Sequence, residues 1–433
     1  MSLTALMFVG VFGLGVFLAF FKHPFFGLLT YLWVFYNPPA QRWWGGDLPD
    51  LRWSLLAGVI TLVAIFLHSS SKDNRPFWLA NWGIKIFILW TAWLWILSFW
   101  SVDFSSHISG CILFSKFVLL FYLIYQLVVT EEDFELFVLA NVVGGFIFGW
   151  IAYRNPGGGR FETVGGPGVN DSNTLAMHLA VVIALGGFLF LTFRGWKNWK
   201  KWIVFGSMPF IFNAIILTVS RQAVLGLVCG GLAAMVLLPA KKRKSLYGVG
   251  VLAVILLLFL GHDIFWERIQ SILPDEQGQY EDSAQSRFEL IKIDWEIAKD
   301  YPWGVGYKGH PLVVADYITE GAVAIGRGKA AHNSYLATLV EGGFLGAFLY
   351  LALWGCLGMT IWRLKSLDRF GLKESLGLYR AGLGAGMVVH LICGMFSNYS
   401  NAEIGVWLLA LVSSFSVLCH RSVRENSLVL SAR

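Results

Sequence analysis

The feature that most constrains the fold of this sequence is a series of long apolar stretches separated by short polar segments. A helix that crosses the roughly 30 Å hydrocarbon core of a bilayer needs about 20 apolar residues. Charged residues make up 14% of the chain and apolar ones 56%, whereas an ordinary soluble domain has about 25% charged residues. So few charges cannot cover a water-exposed surface, and this apolar content excludes disorder. The sequence therefore predicts an all-α polytopic membrane protein.

Thirteen stretches qualify as candidate spans, and we predict 12 or 13 membrane crossings. The second stretch is too short to cross at ordinary tilt, so residues 3–36 form either two crossings or one crossing and a re-entrant or broken piece. The candidate spans lie near residues 3–21, 24–36, 53–68, 82–101, 111–129, 134–153, 173–193, 202–218, 222–238, 246–261, 334–362, 377–396 and 402–419.

Three clusters of Lys and Arg lie between the spans and indicate the orientation of the chain. They fall within residues 194–201, 241–244 and 363–380, and an even number of spans separates them, so all three lie on one side. Because cytoplasmic loops carry an excess of Lys and Arg, we predict that this side is cytoplasmic. The same clustering accounts for the net charge of +6 without a nucleic-acid partner. The loops expected on the extracytoplasmic side are 37–52, 154–172, 262–333 and 397–401.

The only long polar segment, residues 262–333, divides the chain into three predicted parts. Residues 1–261 are the N-terminal transmembrane helices, 262–333 a large loop, and 334–433 the C-terminal transmembrane helices with a cytoplasmic tail. Ordered loops of this length usually carry function. Inside the loop, Phe288, Ile291, Trp295 and Ala298 keep helical spacing. They predict an amphipathic helix at the membrane surface, which ends before the Pro302 and Gly304 punctuation.

Two arginines near apolar helices are candidates for binding an anion. Arg221 lies in a very short interruption between two apolar stretches, with no acidic residue within fifteen positions. An arginine at membrane depth costs about 2.5–3.5 kcal/mol unless it has a partner or a hydrated cavity, and a snorkelling interfacial position is equally compatible. Arg160 lies in a glycine-rich loop whose backbone amides can approach an anion, before a helix that begins at Asn173. A plain flexible turn is the alternative for that loop.

Arg287 and His332 belong to the long polar segment. Arg287 is the only cation on its helix before Lys292, a position that by itself is typical of a solvated surface residue. His332 lies where the loop turns into a long apolar span, and its titration range suits proton transfer, although an interfacial histidine fits the position too. Metal-binding motifs are absent from the sequence, so we predict no metal ion and no cofactor. Arginines can neutralise a pyrophosphate directly through bidentate hydrogen bonds.

The order of these residues resembles that of a known family, the O-antigen ligase and polymerase superfamily. Its pattern is similar to Ser-Arg221-Gln at a helix break, Ser286-Arg287-Phe in a large loop, Pro302-Trp-Gly-Val-Gly306, and His332-Asn333-Ser-Tyr335 followed by Glu341-Gly-Gly-Phe-Leu-Gly346. The resemblance is strongest over residues 155–350. The N-terminal part is similar to the O-glycosylation ligase branch.

The resemblance implies a bacterial inner-membrane enzyme whose active site faces the periplasm. Its donor would be glycan on undecaprenyl pyrophosphate and its acceptor a sugar of lipid A-core, as in lipopolysaccharide biosynthesis, without ATP and with inversion. His332, Arg221 and Arg287 would be catalytic. Arg160, Arg221, Arg287, Asn333 and Tyr335 would bind substrate.

Three alternatives remain open at this point. A polymerase would use the same donor and transfer to a second lipid-linked glycan, and a protein O-glycosylation ligase would use a pilin-like acceptor. A transporter of lipid-linked glycan belongs to another class. Transporters often show internal repeats, and the sequence shows none.

Overall fold

The computed structural model describes residues 1–68, 76–155, 160–193, 195, 197–239, 242–261, 265–266, 282–318 and 332–431. This part of the chain consists of α-helices joined by short turns and loops and contains no strand. Its helices of twelve or more residues are α1 Leu3–Phe21, α2 Phe25–Tyr36, α3 Trp53–Leu67, α4 Trp82–Leu97, α5 Phe104–Leu127, α6 Glu131–Arg154, α7 Ser172–Thr192, α8 Trp199–Leu217, α9 Arg221–Leu237, α10 Arg243–Leu260, α11 Asp282–Asp300, α12 Ser334–Leu364, α13 Glu374–Gly394 and α14 Glu403–Ser431.

Each candidate span corresponds to one helix, and α11 lies within the long loop. Among the described residues, eight helices are long and apolar enough to cross a membrane, and α3, α4 and α9 are shorter apolar helices. The all-α polytopic architecture is therefore confirmed, while the number of crossings stays a prediction. Helix α2 has 12 residues and is about 18 Å long at 1.5 Å per residue, which is shorter than the bilayer core.

Helices α5 and α6 begin before the predicted spans because polar side chains cap them. Helix α5 starts at Phe104 rather than near 111, and the Asp103 carboxylate accepts a hydrogen bond from the Ser106 amide. Helix α6 starts at Glu131 behind a capping box formed by Thr130 and Asp133. Such caps satisfy the first amides of a helix, so a polar first turn extends the helix beyond its apolar stretch.

Small residues bring α9, which begins at Arg221, close to the central helix α13. An added Cβ at Gly226 would lie 3.3 Å from the Val389 carbonyl oxygen, and one at Gly230 would lie 2.9 Å from that of Ala385. Two glycines four residues apart allow helix backbones to approach in this way. Larger residues at these positions would push α9, and the arginine at its start, away from α13.

Polar side chains link the helices within the apolar core. The Tyr36 hydroxyl donates to Asn141 Oδ1 at 2.9 Å and lies 2.9 Å from His178 Nε2. These three buried residues connect α2, α6 and α7. Because a polar group buried in an apolar environment is costly unless it is hydrogen-bonded, the three residues favour one arrangement of their helices.

Arg380, which the sequence analysis counted within the third basic cluster, is fully buried on α13. Its guanidinium donates to both Asp368 carboxylate oxygens at 2.7 Å. It also donates to the Leu364 carbonyl at 3.1 Å and the Leu237 carbonyl at 2.8 Å. Arg380 is therefore a buried structural residue that links the ends of α9 and α12 to α13, and it is not an exposed charge.

Hydrogen bonds join the loops that the sequence analysis assigned to the extracytoplasmic side, so these loops share one end of the bundle. Which face of the membrane this end occupies stays a prediction. The bonds run from Arg42 to the Val164 carbonyl, from the Phe161 amide to the Leu217 carbonyl, from the Val102 amide to the Val305 carbonyl, from the Tyr399 amide to Ser334 Oγ, and from Asn401 Nδ2 to the Tyr307 hydroxyl.

Candidate active site

Arg160 is held against the turn between α8 and α9. Its Nε donates to the Thr218 carbonyl oxygen at 2.8 Å, and its Nη2 donates to Asn173 Oδ1 at 2.7 Å. The Ser220 hydroxyl donates to the same Asn173 oxygen at 3.2 Å. The loop that carries Arg160 and the start of α7 are therefore both attached to the turn that precedes Arg221.

The turn between α8 and α9 is strained at Val219. This residue has φ of 51°, a left-handed conformation that is rare for a β-branched side chain. Its side chain is buried, and its amide donates to the Ile216 carbonyl at 2.9 Å. Strained backbone of this kind persists only where surrounding contacts enforce it, and it often occurs at functional sites.

The strained turn presents the first turn of α9. Arg221 is the first residue of that helix, and the side chain of the preceding Ser220 does not cap it, since it donates to Asn173 instead. The N-terminal amides of a helix carry a partial positive charge. Together with the Arg221 guanidinium they form a positively charged end suited to an anionic group.

A second set of hydrogen bonds leads from α9 to the segment that holds His332. Gln222 Nε2 donates to the Tyr399 hydroxyl, and the Tyr399 amide donates to Ser334 Oγ at 2.7 Å. The Ser334 hydroxyl in turn donates to the Ser397 carbonyl at 2.9 Å. Burial raises the pKa of Tyr399 well above its usual value, so its hydroxyl stays neutral and remains available for the bond to Gln222.

His332 is exposed and lies directly before the first turn of α12. Asn333 caps this helix by accepting hydrogen bonds from the amides of Tyr335 and Leu336, and its Nδ2 donates to the Met395 carbonyl at 3.1 Å. The Tyr335 hydroxyl donates to the Leu391 carbonyl at 2.9 Å. Asn333 and Tyr335 thus fix the start of α12 against the end of α13, which orients His332. Their predicted contacts with substrate stay predictions.

Helix α11 carries Arg287, whose side chain lies outside the described residues. Leu290 and Ile297 of α11 are buried in a small core that includes Val340 of α12. The predicted membrane-facing residues divide: Ile291 and Trp295 are exposed, whereas Ala298 is fully buried. The side chain of Phe288 lies outside the described residues. Helix α11 is therefore packed on α12, the helix that begins two residues after His332.

Two glycine motifs noted in the sequence form one joint between the long loop and α12. The helix breaks at Gly343, which has φ of 67° and ψ of −174°, and Gly304, with φ of 91°, lies against the break. An added Cβ at Gly304 would lie 2.5 Å from the Gly343 amide nitrogen. Only glycine fits both positions.

Residues 302–306 form hydrogen bonds with the backbone groups of α12 that have no helical partner at the break. The Val305 amide donates to the Val340 carbonyl at 3.0 Å, and the Gly306 amide donates to the Glu341 carbonyl at 2.9 Å. The Phe344 amide donates to the Pro302 carbonyl at 3.0 Å. The loop end is thereby fixed to the helix that follows His332.

Three residues of the site, Arg42, Gln222 and Tyr399, were not predicted from the sequence. Arg42 Nη2 donates to the Tyr36 carbonyl at 2.8 Å, and Nη1 donates to the Val164 carbonyl of the Arg160 loop. Burial lowers the pKa of Arg42 to about 10, so it stays charged at neutral pH. A single cation between Pro and Trp residues was a weak signal for Arg42. Gln222 entered the family pattern only as the neighbour of Arg221, and Tyr399 belongs to no recognisable motif.

The described residues include no group of three or more His, Cys, Asp or Glu side chains placed to hold a metal ion. Arg160 and Arg221 bring positive charge to the α8–α9 turn. Such a site can bind an anion through guanidinium groups and helix amides, and the exposed imidazole of His332 can accept a proton.

Part of the chain matches a known protein family. Residues 206–351, about a third of the chain, match the family model described as O-antigen ligase. The matched segment contains Arg221, Arg287, His332 and the glycine joint. No curated protein matches the chain. The resemblance to the O-antigen ligase superfamily is thus confirmed over this segment, and it supports glycan transfer of the ligase or polymerase type in general.

Proposed function

We propose that this chain is an O-antigen ligase that transfers glycan from undecaprenyl pyrophosphate to a sugar hydroxyl of lipid A-core, in the bacterial inner membrane and on its periplasmic side. One observation carries the proposal: the residues that hold Arg160, Arg221 and His332 in place are hydrogen-bonded to one another at one end of the bundle. Asn173 and Ser220 link Arg160 to the start of α9. Gln222, Tyr399 and Ser334 link the start of α9 to the start of α12, next to His332.

The arginines bind the pyrophosphate of the donor in this proposal. Breaking the bond between the sugar and the pyrophosphate leaves additional negative charge on the departing oxygen. Preorganised cations stabilise such charge most strongly where it develops. Arg221 and Arg287 take this role and Arg160 assists, and the uncapped start of α9 adds its partial positive charge.

His332 acts as the general base. Its imidazole accepts the proton of the acceptor hydroxyl as the acceptor oxygen forms a bond to the anomeric carbon and the bond to the pyrophosphate breaks. Attack opposite the leaving group inverts the anomeric centre. The lipid pyrophosphate already provides the driving force, so the reaction uses no ATP. The arginines take the place of a metal ion at the pyrophosphate.

The acceptor is the point at which the alternative functions separate. Purified protein in vesicles should be supplied with undecaprenyl-pyrophosphate-linked glycan and, in separate reactions, with lipid A-core, a pilin-like protein, or no added acceptor. An O-antigen ligase forms product only with lipid A-core, whereas a polymerase extends the lipid-linked glycan without an added acceptor. Transfer to the pilin-like protein would indicate a protein O-glycosylation ligase.

The matched control in that assay is the Arg221→Ala variant at equal protein concentration, which should form much less product. Movement of the lipid-linked glycan across the vesicle membrane without any transfer product would indicate a transporter. That outcome would contradict the proposal in all its enzymatic forms.

A further inference from the structure

Apart from the candidate active site, the structure has a cleft of about 470 Å³ between the end of α4 and residues 300–304, where α11 ends and the joint begins. Its walls include the indoles of Trp93, Trp100 and Trp303, together with Asp300 and Tyr301. The Trp93 ring centroid lies 5.9 Å from that of Trp100 and 6.1 Å from that of Trp303. Clefts of this size with aromatic walls and few polar groups are typical of binding sites for small ligands.

The cleft is built on rigid supports. Trp93 Nε1 donates to the Gly342 carbonyl at 2.7 Å, and the hydrogen bonds of the joint fix the backbone on either side of Trp303. The Asp300 carboxylate accepts a hydrogen bond from the Tyr317 hydroxyl. A cleft whose walls are fixed in advance loses little conformational entropy when it binds a ligand.

The chemistry of the walls selects the kind of ligand. A carboxylate disfavours a hydrocarbon chain, because placing a charge against hydrocarbon is costly, and it repels a phosphate. A neutral sugar ring fits both parts of the cleft. Its apolar C–H faces can pack on indole rings, and its hydroxyl groups can donate to the Asp300 carboxylate.

The position of the cleft indicates which substrate supplies the sugar. Trp100 and Trp303 of the cleft are partly exposed, and exposed tryptophans are enriched at the boundary between membrane and water. Residues 334–342 separate His332 from the joint by about 13 Å at 1.5 Å per residue. An acceptor that is anchored in the membrane must run from the bilayer to the reacting hydroxyl, whereas the donor glycan extends from the pyrophosphate into water.

We infer that the cleft between Trp93, Trp100 and Trp303 binds a neutral sugar of the membrane-anchored acceptor, between its lipid and its reacting hydroxyl. The inference rests on the proposed function, since it concerns the acceptor of the same reaction. It assigns to this cleft the selection of the acceptor, while the arginines select the donor.

The test measures transfer kinetics with lipid A-core for Trp303→Ala, Trp303→Leu and Asp300→Asn. Each should raise the acceptor KM by about three- to tenfold, the factor that corresponds to losing one aromatic contact or one hydrogen bond, and leave the donor KM and the kcat at saturating acceptor unchanged. Trp295→Ala is the matched control, because Trp295 is half-exposed on the adjoining α11 outside the cleft. It should keep the acceptor KM of the wild type.

The outcomes separate the two proposals. A wild-type protein that transfers nothing to lipid A-core contradicts the proposed function. Transfer with a wild-type acceptor KM in both Trp303→Ala and Asp300→Asn overturns the cleft inference alone. A wild-type KM in Trp303→Leu with a raised one in Trp303→Ala indicates a lipid chain in the cleft and overturns the sugar assignment. Each variant should unfold at the same transition temperature as the wild type, which shows that the kinetic comparison is between folded proteins.

Discussion

Replacing Gly343 by alanine should break the joint between the long loop and α12. Gly343 has φ of 67° and ψ of −174°, a combination adopted almost only by glycine. The new Cβ would lie 2.4 Å from the Trp303 carbonyl carbon and 2.5 Å from the Pro302 oxygen. Both contacts are with backbone, so no side-chain rotation relieves them and the loop must move.

The expected cost follows from these contacts. Backbone strain at such a position is worth about 1–3 kcal/mol. Displacing the loop also removes the hydrogen bonds from Val305, Gly306 and Phe344, each worth about 1 kcal/mol net. The total is on the order of 4–6 kcal/mol of local stability. We expect the loop to detach, with a lower transition temperature and a weaker transfer activity.

Thermal unfolding in detergent, followed by tryptophan fluorescence, measures the effect. Gly355→Ala is the matched control because Gly355 is on the same helix and an added Cβ there meets nothing within 4 Å. Alanine favours a helix interior over glycine by about 1 kcal/mol, so this control should unfold at the wild-type temperature or above. Equal transition temperatures for the two variants would show that the loop does not depend on Gly343, and the reasoning about the joint would be wrong.

Four further predictions concern the site and its orientation. His332→Ala should lower single-turnover transfer by about two to four orders of magnitude while donor binding is retained, and weak donor binding in this variant would refute the base assignment. The wild-type rate should fall as pH is lowered through the titration range of histidine, because a protonated imidazole cannot accept a proton. Arg221→Ala and Arg287→Ala should weaken both donor binding and turnover, and lysine should restore only part because it lacks the guanidinium fork; an unchanged donor Kd would remove that arginine from the site. Transfer should survive EDTA, and a loss that magnesium reverses would contradict the metal-free mechanism. A membrane-impermeant maleimide added to spheroplasts should label Trp43→Cys but not Ser366→Cys, both at exposed positions, and the reverse pattern would invert the orientation.

The helices were predictable because the physical requirement behind them is simple. About 20 apolar residues cross a bilayer as a helix, and each of the thirteen candidate stretches forms one. The starts of α5 and α6 were misplaced, because Asp103 and Thr130 extend these helices through polar first turns. Both caps are readable from sequence, so this error came from counting apolar residues alone.

The site was predictable only in part. Arg160, Arg221 and His332 were identified by their positions at the ends of apolar stretches, but the links between them were not. Gln222 and Tyr399 are 177 residues apart, and a hydrogen bond over that separation leaves no periodic pattern in a sequence. The motifs around Gly304 and Gly343 were each recognised, yet only the folded chain shows that one fills the break in the other.

The buried guanidinium of Arg380 has a consequence for how the protein is made. Its carboxylate partner Asp368 is only twelve residues away, in the turn between α12 and α13, so the two charges can pair as soon as this hairpin leaves the ribosome. The Leu237 carbonyl, 143 residues away, can join them only when α9 is already in the bilayer. Because α9 precedes the hairpin in the chain, it is inserted first, and the α12–α13 hairpin brings the paired Arg380 and Asp368 to it. Losing Asp368 would expose an unpaired cation to the insertion machinery, and the defect would appear in the amount of protein that reaches the membrane rather than in its chemistry.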